Sequence, residues 1–178
     1  SLPGTNFLTN NGNFSWTGGT VTDGNGLDAP TSKFVNYGTL DAWINGTPNL
    51  VLDVLLENHG NFSLSSGTPG RALISTSPGS GFIDNYGFIY IDENPTIAVD
   101  IYNHSGAFID IASTSTTTTL SIFTGTLTND GTLNVIASQY TNTTTFQVTG
   151  TVINNGLINM SNPMLSDTND AIFDVSGG

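Results

Sequence analysis

The sequence predicts an all-β protein, a right-handed parallel β-helix of about seven rungs with about 24 residues per rung. Three observations carry that prediction. Asn, Gly, Ser and Thr dominate the composition, with 21 Asn, 21 Gly and 44 Ser plus Thr among 178 residues, while Lys, Arg and Glu fill only four positions. A surface without helix-forming residues favours strands and turns. A motif of the form apolar, x, Asn, x, Gly, x, apolar recurs along the chain, and the residues after its Gly alternate apolar and polar, as in Leu40, Ala42, Ile44 and in Leu133, Val135.

The motif Asn residues are Asn10, Asn36, Asn58, Asn85, Asn103, Asn129 and Asn154, at intervals of 26, 22, 27, 18, 26 and 25 residues. Such a period without intervening helices describes a solenoid in which each rung is hydrogen-bonded to the next. A seven-bladed propeller needs about 40 residues per blade, which this chain lacks. The motif Gly is read as a corner with positive φ, and the Asn as a turn residue whose amide bonds the same amide one rung away, so a ladder of seven Asn is expected. In the copy at Asn103, Ser105 stands in the Gly position and Gly106 follows. At roughly 4.8 Å per rung the rod would be about 34 Å long. The variable stretches Asn45 to Asn49, Ser65 to Pro78 and Ser113 to Thr119 are expected to bulge as loops. The length fits a single domain, 1–178, with rungs over about 7–160 and a polar C-terminal connection over 161–178.

Charge narrows the function classes. Two cations against 14 carboxylates give a formal charge of −12, which disfavours nucleic acid and anionic membranes. No apolar run approaches the roughly 20 residues of a membrane span, so no membrane insertion is expected. With no Cys there are no disulfides or thiolate ligands. The Lys-poor, Ser/Thr-rich composition suggests an extracellular or cell-surface location.

The copies Phe34 to Ile44, Phe82 to Asp92 and Leu127 to Val135, with Gly79-Ser80-Gly81-Phe82-Ile83, resemble microbial cell-surface β-helix adhesins. They are similar to the N-terminal domains of fungal hyphally regulated cell wall proteins, although those usually carry Cys. The same rungs resemble bacterial filamentous-haemagglutinin-type repeats. The resemblance covers about residues 7 to 160 and implies a non-catalytic surface role, with no catalytic residue to carry over.

Candidate sites are few. An enzyme acting on polysaccharide needs a base and usually a cation, or two carboxylates about 5 to 10 Å apart. Lys33 and Arg71 both lie in loop-like stretches, and Asp84, Asp92, Glu93, Asp100 and Asp110 read as scattered solubilising charge. Calcium would need denser acidic loops than Asp167, Asp170 and Asp174 supply, and His59 and His104 lack partners for zinc, so neither metal nor cofactor is expected. The position between Asn and the turn residue holds Tyr37, His59, Tyr86 and His104, an aromatic column suited to a sugar or a protein. The plain alternative is that any turn-tolerant residue fits there, as Asp130 and Asn155 do. Six Asn-x-Ser/Thr sequons are no more than this composition yields by chance.

The expected function is therefore an adhesin or adhesin-like structural domain, whose partner is a glycan or a protein at a cell surface or matrix. A filament subunit that self-associates through its end rungs is the alternative, and a carbohydrate-active enzyme comes third.

Overall fold

Strands that alternate inward apolar and outward polar residues, separated by tight turns 18 to 27 residues apart, bury their apolar rows only by stacking copy on copy. A computed structural model describes residues 6–22, 33–44, 49–67, 71–75, 81–112, 119–137, 143–161 and 170–176. Among them are 21 strands and no helix, in three seven-stranded parallel sheets. The chain is a β-solenoid in which each coil gives one strand to each sheet.

The first sheet stacks Asn6–Asn10, Lys33–Asn36, Leu55–Asn58, Phe82–Asn85, Asp100–Asn103, Thr126–Asn129 and Thr151–Asn154. The second stacks Asn13–Trp16, Thr39–Trp43, Asn61–Ser66, Phe88–Glu93, Phe108–Ala112, Thr132–Ile136 and Leu157–Ser161. The Asn-x-Gly turn joins these two sheets. The third, which sequence reasoning did not resolve, stacks Gly19–Thr22, Leu50–Asp53, Ala72–Ile74, Thr96–Ala98, Thr119–Phe123, Thr144–Val148 and Ala171–Val175.

Three expectations change here. Ser65 and Ser66 end a second-sheet strand, and Ala72–Ile74 and Thr119 belong to third-sheet strands, so those parts of the expected loops are rungs. Asn49, Gly67, Arg71 and Ser75 lie between strands, and 45–48, 68–70, 76–78 and 113–118 lie outside the described residues, as does Asp167. The C-terminal stretch is not wholly a polar connection: Ala171–Val175 pairs in register with Thr144–Val148, and Phe173 stacks on Phe146 at 5.8 Å. Asp170 and Asp174 make the stretch read as polar, yet it holds a strand whose Ala171 and Phe173 pack against the core. Lys33 starts a strand rather than sitting in a loop, and it is ion-paired to Glu57 one coil on.

Inward residues from all three sheets make one core. It holds repeated aliphatic columns, such as Ile89 over Ile109 over Leu133 and Ile91 over Ile111 over Val135, each at most 1 % exposed. Truncating one of these, Ile109→Ala for example, removes packing worth about 2–5 kcal/mol.

The glycine of the turn has a different reason from the one expected. Among described residues, positive φ occurs only at Glu93, Gly19 and Gly106, and the motif glycines are not among them. Instead, a Cβ on Gly87 would overlap Gly60 O and stand 2.7 Å from the His59 carbonyl carbon, and Gly38, Gly60 and Gly156 meet the coil before them in the same way. At these tight corners glycine is selected because the coils stack backbone on backbone; the exceptions are Gly12, with nothing within 4 Å of its Cβ, and the longer corner of the fifth coil.

The fifth coil also departs from the alignment with Ser105 at the Gly position. Phe108 pairs with Phe88, and Ala107 O accepts from Thr132 N at 2.9 Å as the motif glycine carbonyls do in other coils. Ala107 therefore holds the Gly position. Ser105 and Gly106 are a two-residue insertion, turned by Gly106 at φ +86° and closed by Ala107 N donating to His104 O.

Candidate functional site

The last residue of each first-sheet strand is an inward-facing Asn, and the seven form one continuous chain of amide bonds. Asn10 Nδ2 donates to Asn36 Oδ1 at 2.8 Å, and the same bond joins Asn36 to Asn58, Asn58 to Asn85, Asn85 to Asn103, Asn103 to Asn129 and Asn129 to Asn154 at 2.7–2.8 Å. A second amide hydrogen goes to a carbonyl at the start of the next second-sheet strand, as from Asn85 to Phe108 O at 3.1 Å. The amide thus caps a corner that would otherwise bury unpaired backbone carbonyls. The ladder is directional: Asn10 Oδ1 accepts from Gly12 N within its own coil, and Asn154 Nδ2 donates to its own Gly156 O.

The aromatic column is present on the outer side of the same turn. Ring centroids of Tyr37 and His59 are 4.9 Å apart, those of His59 and Tyr86 4.9 Å and those of Tyr86 and His104 3.9 Å, with interplanar angles of 9–16°. The first two separations match the roughly 4.8 Å spacing of coils and the third is tighter, so the rings are stacked along the rod. Their faces cover one another and their edges meet solvent. A sugar ring lies against an aromatic face, so the column offers that chemistry little room.

Carboxylates bind its edges. His59 Nε2 is 2.7 Å from Glu57 Oε1, His104 Nε2 is 3.1 Å from Asp84 Oδ1, and Tyr102, tilted against His104, donates to Asp130. Burial pushes the Glu57 carboxyl up, but the hydrogen bonds of His59 and Lys33 outweigh it and hold the group below its usual value. The bond from Tyr102 lowers Asp130, and the same bond raises the Tyr102 phenol. Asp84, expected as scattered charge, is therefore tied to the column, and so is Glu57.

A second feature was not found by sequence reasoning. On the outer face of the second sheet, a groove of about 450 Å³ is lined by Ser15, Asp41, Trp43, Ser63, Ser65 and Asp92 among others. The register explains it: Asp41 pairs with Ser63 and Trp43 with Ser65, and on the far side Ser63 pairs with Tyr90 and Ser65 with Asp92. Small side chains in the third coil thus leave a trough between larger ones in the second and fourth. Trp43 keeps 43 % of its surface exposed. Its signal was in the sequence: if Leu40, Ala42 and Ile44 point inward, Asp41 and Trp43 must point out, and an outward Trp invites explanation.

Beside the groove, Glu93 has φ 67° and a buried carboxylate oxygen with no hydrogen-bond partner. A Cβ on Gly67 would stand 3.7 Å from both that oxygen and Trp43 Cζ2, so the carboxylate and the indole flank the same glycine. Burial first, and the charge of Asp92 second, push the Glu93 carboxyl up. Among the described residues no group of three or more His, Cys, Asp or Glu is placed to hold a metal ion, and no helix is long and apolar enough to cross a membrane.

No family model matches the sequence, and neither a curated protein nor a solved structure matches it.

Proposed function

We propose that the chain is a non-catalytic, adhesin-type domain of an extracellular surface, a stiff rod that presents its outer faces to a glycan or protein partner. One observation carries the reading: the outward positions form columns in fixed register on three stacked sheets, while the amide ladder and one apolar core tie every coil to the next. A surface held by that many non-local contacts reorganises little on binding, which favours recognition at low entropic cost. The test is a bead assay. Beads coated with the chain should adhere to at least one immobilised matrix protein or glycan, and the chain should release no reducing sugar from polysaccharides. Absence of adhesion to every surface, or turnover of a polysaccharide, would sink the proposal.

The directional ladder favours a second reading, a filament subunit. Asn154 offers a donor where Asn10 offers an acceptor, so a copy stacked head to tail would continue the ladder and all three parallel sheets. Light scattering at rising concentration decides it. End-to-end growth weakened by Ile158→Pro supports this reading, and a monomer at every concentration removes it.

A further inference from the structure

We propose that the groove around Trp43 is a binding site for a neutral oligosaccharide. The inference deepens the adhesin reading and rests on it. Small-ligand sites combine an apolar platform with a few polar groups that fix orientation, in volumes of roughly 300–1,000 Å³. This groove, of about 450 Å³, has that make-up. The indole of Trp43 supplies the platform, against which the C–H face of a sugar ring packs. Asp41 and Asp92 supply carboxylate acceptors for sugar hydroxyls. The serines at 15, 63 and 65 both donate and accept, as a ligand with several hydroxyls around each ring requires.

The span fits a short chain rather than one ring. Ser15 is in the first coil, Asp41 and Trp43 in the second, Ser63 and Ser65 in the third and Asp92 in the fourth, so three coil spacings cover about 14 Å. The floor is rigid because its residues sit on paired sheet strands. Two carboxylates in the lining and a chain charge of −12 repel uronic or sulfated sugars, which leaves the neutral ones. A cationic ligand would also be drawn to a Trp flanked by carboxylates, but one indole without a second ring makes no cage, and the serine-rich floor has no use in that recognition.

The experiment is calorimetric titration of the intact chain with short gluco-, manno-, galacto- and chito-oligosaccharides, with oligogalacturonate and choline as counter-probes. At least one neutral oligosaccharide should bind saturably. Trp43→Ala should weaken it about tenfold or more, or about 1.4 kcal/mol. Trp43→Phe should retain part of the affinity, and Asp41→Asn and Asp92→Asn should each weaken it several-fold. Because Trp43 is an outward side chain, the Ala variant should melt close to the parent, which separates lost binding from lost folding. Binding unaffected by Trp43→Ala, binding of choline alone, or no binding of any neutral oligosaccharide would overturn the proposal. The bead assay keeps the two claims apart. Adhesion to matrix protein that persists without saccharide binding leaves the adhesin reading standing and removes the groove, whereas absence of both removes both.

Discussion

Replacing Asn85 by Ala tests whether the amide ladder holds the rod together. Asn85 is fully buried, donates to Asn103 Oδ1 at 2.8 Å and Phe108 O at 3.1 Å, and accepts from Asn58 Nδ2 at 2.8 Å. Each of these three bonds contributes about 1 kcal/mol net, and the partners left behind are themselves buried, so the cost should be about 3 kcal/mol. Part of it is recovered, because Asn58 Nδ2 still reaches Phe88 O at 3.1 Å. Asn154→Ala makes the same chemical change at an exposed amide whose Nδ2 reaches only its own turn and whose Oδ1 accepts a single ladder bond, from Asn129 Nδ2, which keeps Leu157 O as an acceptor at 3.3 Å. Its cost should stay below about 1 kcal/mol. Urea unfolding read by circular dichroism gives both values, with an unchanged m confirming that the difference is one of stability. A double-mutant cycle on Asn58 and Asn85 should show coupling. Equal losses at Asn85 and Asn154, or negligible loss at both, would refute the reasoning.

Gly87→Ala should cost about 1–3 kcal/mol by forcing adjacent coils apart, whereas Gly12→Ala, with nothing within 4 Å of its Cβ, should melt like the parent; a tolerated Gly87→Ala would show that backbone contact is not what selects glycine. The folded protein holds the Glu93 carboxyl above its ordinary pKa of 4.5, so its contribution is fully present below that pH and is lost as pH rises through the folded value. Glu93→Gln should therefore melt higher than the parent at pH 7 and alike at pH 3, and the same gain at both pH values would remove titration from the account. Glu57 has the opposite sign: its lowered value gives stability present above pH 4.5 and lost as pH falls through the folded value, so Glu57→Gln should destabilise at pH 7 by less than about 1 kcal/mol and not in acid.

The sequence by itself determined the elements that are local. The Asn-x-Gly turn marks each coil, alternation such as Leu40, Ala42, Ile44 reports which side is core, and the interval between turns places like residues above one another. From these alone the solenoid, its first two sheets, the Asn ladder and the aromatic column at residues 37, 59, 86 and 104 were legible.

Only the tertiary structure decided what depends on neighbours about 18 to 27 residues away. Strands as short as Ala72–Ile74 and Thr96–Ala98 have no turn motif to announce them and are strands because the coils on either side supply their hydrogen bonds. Ala171–Val175 is strand for the same reason, despite the polar residues before it. The role of the motif glycine came from the coil it lies against, and the insertion at Ser105 and Gly106 from the pairing of Phe108 with Phe88. The groove is the clearest case. Ser15, Asp41 and Ser63 stand three residues after the motif Gly of their coils, and Trp43, Ser65 and Asp92 five residues after it, so parallel register stacks them about 4.8 Å apart. A repeat fixes which outward residues lie above one another; that small side chains in one coil leave a trough between larger ones in the next is decided by how those side chains sit on the assembled sheet.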